Sequence, residues 1–204
     1  AAIFSFHPVK HIAAGEGGMV TTNRWDLARK LELLRTHGIT KNSDEMFDNH
    51  GDWYYEMQEL GFNYRLSDIH AALGLSQLER VEEGLAKRRN IAGRYSEAFD
   101  GHPTMVTQKV TSTQRNEHHA YHLYVIRTNR RKKLYDHLHN QGIYVQVHYI
   151  PLHNQPYYAK RYGTQNFPNA ETYYEQCLSL PIYPSLTLDE QEFIIQRILG
   201  FFDE

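Results

Sequence analysis

One lysine, Lys10, stands where a lysine can do covalent chemistry. It lies in the segment Ser5-Phe6-His7-Pro8-Val9-Lys10-His11-Ile12-Ala13-Ala14-Gly15-Glu16-Gly17-Gly18-Met19-Val20-Thr21-Thr22. This reads as a short apolar strand (residues 2–6), a turn carrying the lysine, a glycine-rich turn, and a second strand (residues 19–22). Pro8 fixes its own φ and pushes His7 towards an extended conformation. Gly15, Gly17 and Gly18 permit close backbone approach. An amine held among strands and small residues is partly desolvated. Desolvation favours the neutral amine, the form that attacks a carbonyl. The plainer alternative is a surface lysine in a hairpin-like loop.

A second constellation is the histidine cluster His118-His119-Ala120-Tyr121-His122, in a chain with 13 histidines. His118 and His122 have the i, i+4 spacing of a zinc site on a helix. The segment reads as loop into strand, where that spacing separates the two by about 13 Å along one face. No acidic residue is placed as a general base. The expectation is therefore no metal site, with a metal-dependent hydrolase as the rival from another mechanism class.

Two further blocks follow Lys10 in order: Gly61-Phe62-Asn63-Tyr64-Arg65-Leu66-Ser67-Asp68-Ile69-His70-Ala71-Ala72-Leu73-Gly74 and Val145-Gln146-Val147-His148-Tyr149-Ile150-Pro151-Leu152-His153. Together with the lysine segment they resemble the DegT/DnrJ/EryC1 sugar aminotransferases. These are pyridoxal 5'-phosphate enzymes of α/β fold-type I, the aspartate aminotransferase-like fold. Trp53-Tyr54-Tyr55-Glu56-Met57 most resembles the branch that aminates C4 of UDP-4-keto-6-deoxy-N-acetylhexosamines in pathways of the pseudaminic acid type.

The resemblance implies a role for each matching position. Lys10 would capture the cofactor aldehyde and later shuttle a proton. Ser5 would bind the cofactor phosphate, unless it merely bonds its own backbone at a strand end. Asn63 would reach the phosphate of a neighbouring subunit, making the site shared across a homodimer; alone it reads as a turn residue after Gly61. Arg65 would pair with a carboxylate or phosphate, or support the following helix. His148 and Tyr149 would face the nucleotide-sugar substrate, with His148 equally readable as a satisfied core or edge histidine. His7 would tune the lysine or touch substrate. The amino donor would be glutamate. His11 departs from the small polar residue often found after the family's lysine.

Positioning these residues requires a scaffold, and the sequence supplies one. Asn23 reads as the cap of a helix with Leu27, Ala28, Leu31 and Leu34 at helical spacing, ended by Gly38. Residues 39–60 show no period and read as a long aromatic loop. Ser67 caps a helix to Leu78, and a second helix runs over residues 79–99. Asp100-Gly101-His102-Pro103 is a breaker cluster. It divides residues 1–101, the end of the cofactor-binding large domain with linking helices, from residues 102–204, a smaller α+β domain. In the latter, strands are expected over 121–126 and 144–149, and helices over 132–140, 154–162 and 168–179. A Thr187–Glu190 capping box opens a terminal helix.

Composition bounds the rest. The 204 residues are 41% hydrophobic and 23% charged, with net charge −2. This is ordinary for a globular protein and gives no electrostatic reason for nucleic acid or an anionic membrane. No apolar run approaches the ~20 residues that span a bilayer. The single cysteine, Cys177, excludes an intrachain disulfide and fits a cytoplasmic setting. Family members are about twice this length, so the chain reads as a C-terminal half. The pyridine-nitrogen aspartate and the ring-stacking side chain would then lie elsewhere, and this chain alone would bind cofactor poorly and be inactive. A non-enzymatic binding protein of the same fold and a merely dimerising fragment are the remaining alternatives.

Overall fold

A computed structural model describes residues 1–109 and 119–203. The chain forms two compact units, residues 1–81 and 82–204.

In the first unit, β1 (Ala2–Ser5) and β2 (Gly18–Thr21) pair antiparallel, Ala2 opposite Thr21 and Ser5 opposite Gly18. Both strands are exposed on both faces, Ile3 to 83% and Phe4 to 47%. Apolar residues on both faces are the pattern of a strand built to be covered on two sides. Helix α1 (Trp25–Arg35) follows. Its cap position is Arg24, one residue beyond the expected Asn23; the Arg24 side chain caps nothing but pairs with Asp26 in the first turn. His37 and Gly38 adopt positive φ and end the helix, with the Gly38 amide on the Leu33 carbonyl at 2.9 Å.

The expected loop over 39–60 is more ordered than its lack of period suggests. β3 (Ile39–Thr40) and β4 (Glu56–Met57) pair antiparallel across it. The Glu56 carboxylate accepts from the amides of Phe47 (2.8 Å) and Asp48 (2.9 Å), the Tyr54 hydroxyl (3.1 Å) and Gln58 Nε2 (2.9 Å). Those amide bonds come first among the causes that hold its pKa below the usual carboxylate value. Glu45 is likewise held down, to about 2, chiefly by its hydrogen bonds from Arg29 and Thr40. Lys30 pairs with Glu59. Helix α2 (Asp68–Leu78) is capped by Ser67, whose hydroxyl accepts from the His70 amide.

The second unit holds the main core. Helix α3 (Val81–Ala98) contributes Ile91, Ala92 and Tyr95, with Phe99 just beyond its end. This linking helix therefore packs with the second unit. β5 (Val106–Thr107), β6 (Tyr124–Arg127) and β7 (Cys177–Leu180) form an antiparallel sheet in the order 5-6-7. Helices α4 (Arg131–Asn140), α5 (Pro156–Tyr162), α6 (Pro168–Gln176) and α7 (Leu188–Asp203) belong to the same unit. Tyr124, Ile126, Leu178 and Leu180 from the sheet meet Leu134 and Leu138 of α4 and Ile194, Ile198 and Phe201 of α7. Glu190 and Thr187 form the expected capping box, with amide-to-side-chain bonds of 2.8 and 3.2 Å.

Two expectations change here. The helix read over 168–179 stops at Gln176, because Cys177–Leu180 is wholly buried and pairs with β6 residue for residue. The strand read over 144–149 is reduced to one bridge, Gln146 to Ser179. Beyond it His148 bonds through its ring instead, and Pro151 has no amide to donate.

Candidate functional site

The first and second motif blocks pack against each other within the first unit. Phe6 and Gly17 close the strand pair by a 2.9 Å backbone bond, and the Ala14 amide returns to the Phe6 carbonyl at 2.9 Å. Residues 7–16 thus form a closed loop rooted on both strands. Lys10 sits on it, half-buried, its amide bonded to the His7 carbonyl at 2.9 Å. Gly17 has φ +137°, and a Cβ there would lie 2.6 Å from Leu66 Cδ1. A Cβ on Gly15 would lie 3.1 Å from the His70 ring. The glycines are therefore where the residues around the start of α2 seat against the lysine loop. His70 Nδ1 is itself held by Ser67 Oγ at 2.7 Å.

Ser5 ends β1, exposed, and its hydroxyl accepts from the His7 amide at 3.5 Å, a weak local bond that leaves the oxygen accessible. His7 is exposed on the same turn. Asn63 is presented by backbone alone. Its neighbours are stitched to the end of α1 by Phe62 N–H to Leu34 O (2.7 Å), His37 N–H to Phe62 O (2.8 Å) and Tyr64 N–H to Arg35 O (2.9 Å). The Phe62 and Tyr64 rings stack with centroids 4.8 Å apart. Alternation along an extended segment then sends the Asn63 side chain from the opposite face. Asn63 and Arg65 are both exposed.

His148 and Tyr149 belong to the second unit. Their rings meet edge-on at 4.6 Å; His148 is half-buried with Nδ1 2.8 Å from Ser179 Oγ, while Tyr149 is 72% exposed. Ser179 and His70 were not singled out from sequence. His70 had a readable signal, its i+3 spacing from the capping Ser67; Ser179 had none, since its partner is distant in the chain.

A cavity of about 380 Å³ opens beside β5 and β6, lined by residues including His119, Arg127 and Tyr173. None of the site residues expected from sequence lines it. Among the described residues no group of three histidines, cysteines or acids could hold a metal ion; His118 of the histidine cluster lies outside the described residues.

Residues 1–199 match the DegT/DnrJ/EryC1/StrS aminotransferase family. The chain belongs to this family. It is 39% identical to the spore coat polysaccharide biosynthesis protein SpsC of Bacillus subtilis, over 97% of this chain and 52% of that protein. It is 35% identical to the UDP-4-amino-4,6-dideoxy-N-acetyl-beta-L-altrosamine transaminase of Campylobacter jejuni, over 100% of this chain and 52% of that one. Among solved structures, Helicobacter pylori PseC, described as an aminotransferase involved in the biosynthesis of pseudoaminic acid, superposes with TM-score 0.86 at 32% identity, over 98% of this chain and 53% of its own. The PLP-form of the sugar aminotransferase homologue Spr1654 from Streptococcus pneumoniae gives TM-score 0.83 at 26% identity, over 98% of this chain and 51% of its own. The α/β architecture is that of the fold-type I sugar aminotransferases. The chain spans about half the length of the curated relatives it matches.

The residues present fit part of a pyridoxal phosphate site. An amine on a closed loop, a strand-end hydroxyl and an outward amide are one carbonyl-reactive group and two neutral phosphate donors.

Proposed function

We propose that this chain carries the lysine-bearing part of a pyridoxal 5'-phosphate-dependent aminotransferase acting on a 4-keto-6-deoxy nucleotide sugar, with glutamate as amino donor. The observation that supports it most is the packing of the glycine-rich lysine loop against the Leu66–His70 turn, which joins two family blocks in one unit. The Lys10 amine holds the cofactor and, once released, moves a proton at the carbon that gains or loses nitrogen. Ser5 and Asn63 donate to the phosphate, Asn63 across a homodimer interface, in keeping with its outward presentation. Arg65 pairs with an anionic group there. His148, Tyr149 and His7 meet the nucleotide sugar. Pyridoxal phosphate, when bound, supplies the electron sink. Residues 1–101 serve as the end of the large domain with its linking helices, and 102–204 as the smaller domain. No described helix is long and apolar enough to cross a membrane, and we place the reaction in the cytoplasm.

The test is to incubate the chain, completed to the length of its relatives, with pyridoxal phosphate, reduce with borohydride and map the modified peptide. Label concentrated on Lys10, and lost in Lys10→Ala, supports the assignment. Label spread over the exposed lysines, such as Lys41 and Lys133, in proportion to their exposure refutes it.

A further inference from the structure

Strand β7 grips the segment that carries His148. Gln146 and Ser179 exchange two backbone hydrogen bonds, at 3.2 and 2.8 Å. The Ser179 side chain then reaches two residues further, its Oγ lying 2.8 Å from His148 Nδ1. The Cys177 thiol lies 3.7 Å from the Tyr174 carbonyl oxygen and 3.9 Å from that of His148. Burial, the largest cause, raises the pKa of that thiol, so it stays a protonated donor. The backbone at Gln146 and the ring of His148 are thus held by the same strand.

Ser179 is 5% exposed. A hydroxyl so buried needs a partner, since leaving it unmade costs the desolvation of the group. Among the described residues His148 Nδ1 is the partner its oxygen has. A hydroxyl brings one proton and a neutral imidazole brings one lone pair, on the nitrogen that lacks hydrogen. If the hydroxyl donates, the lone pair is on Nδ1 and the proton on Nε2. If it accepts, Nε2 carries the lone pair, which would meet an anionic oxygen unfavourably.

We propose that Ser179 is a positioning residue: its hydroxyl donates to His148 Nδ1 and fixes the Nε2–H tautomer, so that the imidazole offers an N–H to the diphosphate of the substrate. Both the direction of that bond and the importance of the donor rest on the reading of His148 given above; the 2.8 Å contact that lets Ser179 select a tautomer does not.

Nitrogen-15 imidazole spectra of the chain test this at mildly alkaline pH, where an imidazole is ordinarily neutral, with the His148 signals assigned through His148→Gln. The expected spectrum shows Nδ1 unprotonated and Nε2 protonated. In Ser179→Ala the two shifts converge as tautomers mix, and Ser179→Thr restores the original pattern. A protonated Nδ1 in the unaltered chain overturns the proposal even if Ser179→Ala fails to fold, as do unchanged shifts in Ser179→Ala. Addition of UDP moves the Nε2 signal, with binding about 5-fold weaker in Ser179→Ala, the scale of one hydrogen bond. A serine-dependent tautomer whose Nε2 ignores UDP upholds the role of Ser179 and removes His148 from the diphosphate site.

Discussion

Replacing Arg88 by methionine sets two large effects against each other. Arg88 is 7% exposed, on the inner face of α3, and Nη1 donates to the Tyr121 carbonyl at 3.2 Å and the Ile182 carbonyl at 2.8 Å. No carboxylate pairs with it among the described residues, and burial lowers its pKa. Methionine keeps much of the volume and removes the cost of burying a charge. It also removes the donors of two charge-assisted bonds, worth about 1.5–3 kcal/mol each, and withdraws that donor from two carbonyls in the interior. Relief of a buried charge recovers a few kcal/mol at most when the replacement packs well. The short bond is to Ile182, itself only 8% exposed. The bonds therefore win, and Arg88→Met should lose about 2 kcal/mol. For a chain of this size that lowers Tm by roughly 4–8 °C. Scanning calorimetry measures it. Hydrogen exchange at Leu180, on the strand leading to Ile182, should quicken in parallel. A Tm equal to or above that of the unaltered chain would show that the charge is a net burden, and the reasoning would fail.

Glu45 should govern acid sensitivity in the first unit. Its folded pKa, about 2, lies below the ordinary carboxylate value of 4.5. Its contribution is therefore fully present above the ordinary carboxylate range and is lost as pH falls towards 2. Carboxyl carbon NMR should find the late titration, and Glu45→Gln should abolish the associated change in the 41–58 amides. Thr187→Ala removes the hydroxyl that accepts from the Glu190 amide at the start of α7 and should cost about 1 kcal/mol in chemical denaturation. Gly17→Ala should cost more, because φ +137° disfavours any L side chain and the added carbon meets Leu66; a loss of cofactor labelling at Lys10 would accompany it, whereas unchanged labelling would separate the loop from the 66–70 turn.

Punctuation made the first unit legible. Pro8, Gly15, Gly17 and Gly38 announce their turns, and Ser67 announces its helix, because each acts on its own backbone within a few residues. Long-range pairing hid the rest. Cys177–Leu180 is a short apolar run that continues the period of α6, and only its partner β6 makes it a strand. Glu56 lies in the segment read as a long aromatic loop, yet backbone amides nine and eight positions earlier converge on it. The family was legible from three ordered blocks. The hold of Ser179 on His148 was not, since 31 positions separate them.

Gly38 and Gly61 touch backbone to backbone: a Cβ on Gly38 would overlap the Glu59 carbonyl, and one on Gly61 would overlap the Gly38 nitrogen. Contact this close acts as a spacer of zero thickness between the end of α1 and the rung that bears Asn63. Even one methyl group at either position would lever that rung outward, and in the role we propose for Asn63 an amide shifted by an ångström no longer reaches its target. The reach of Asn63 is thus set by two positions that have no side chain at all.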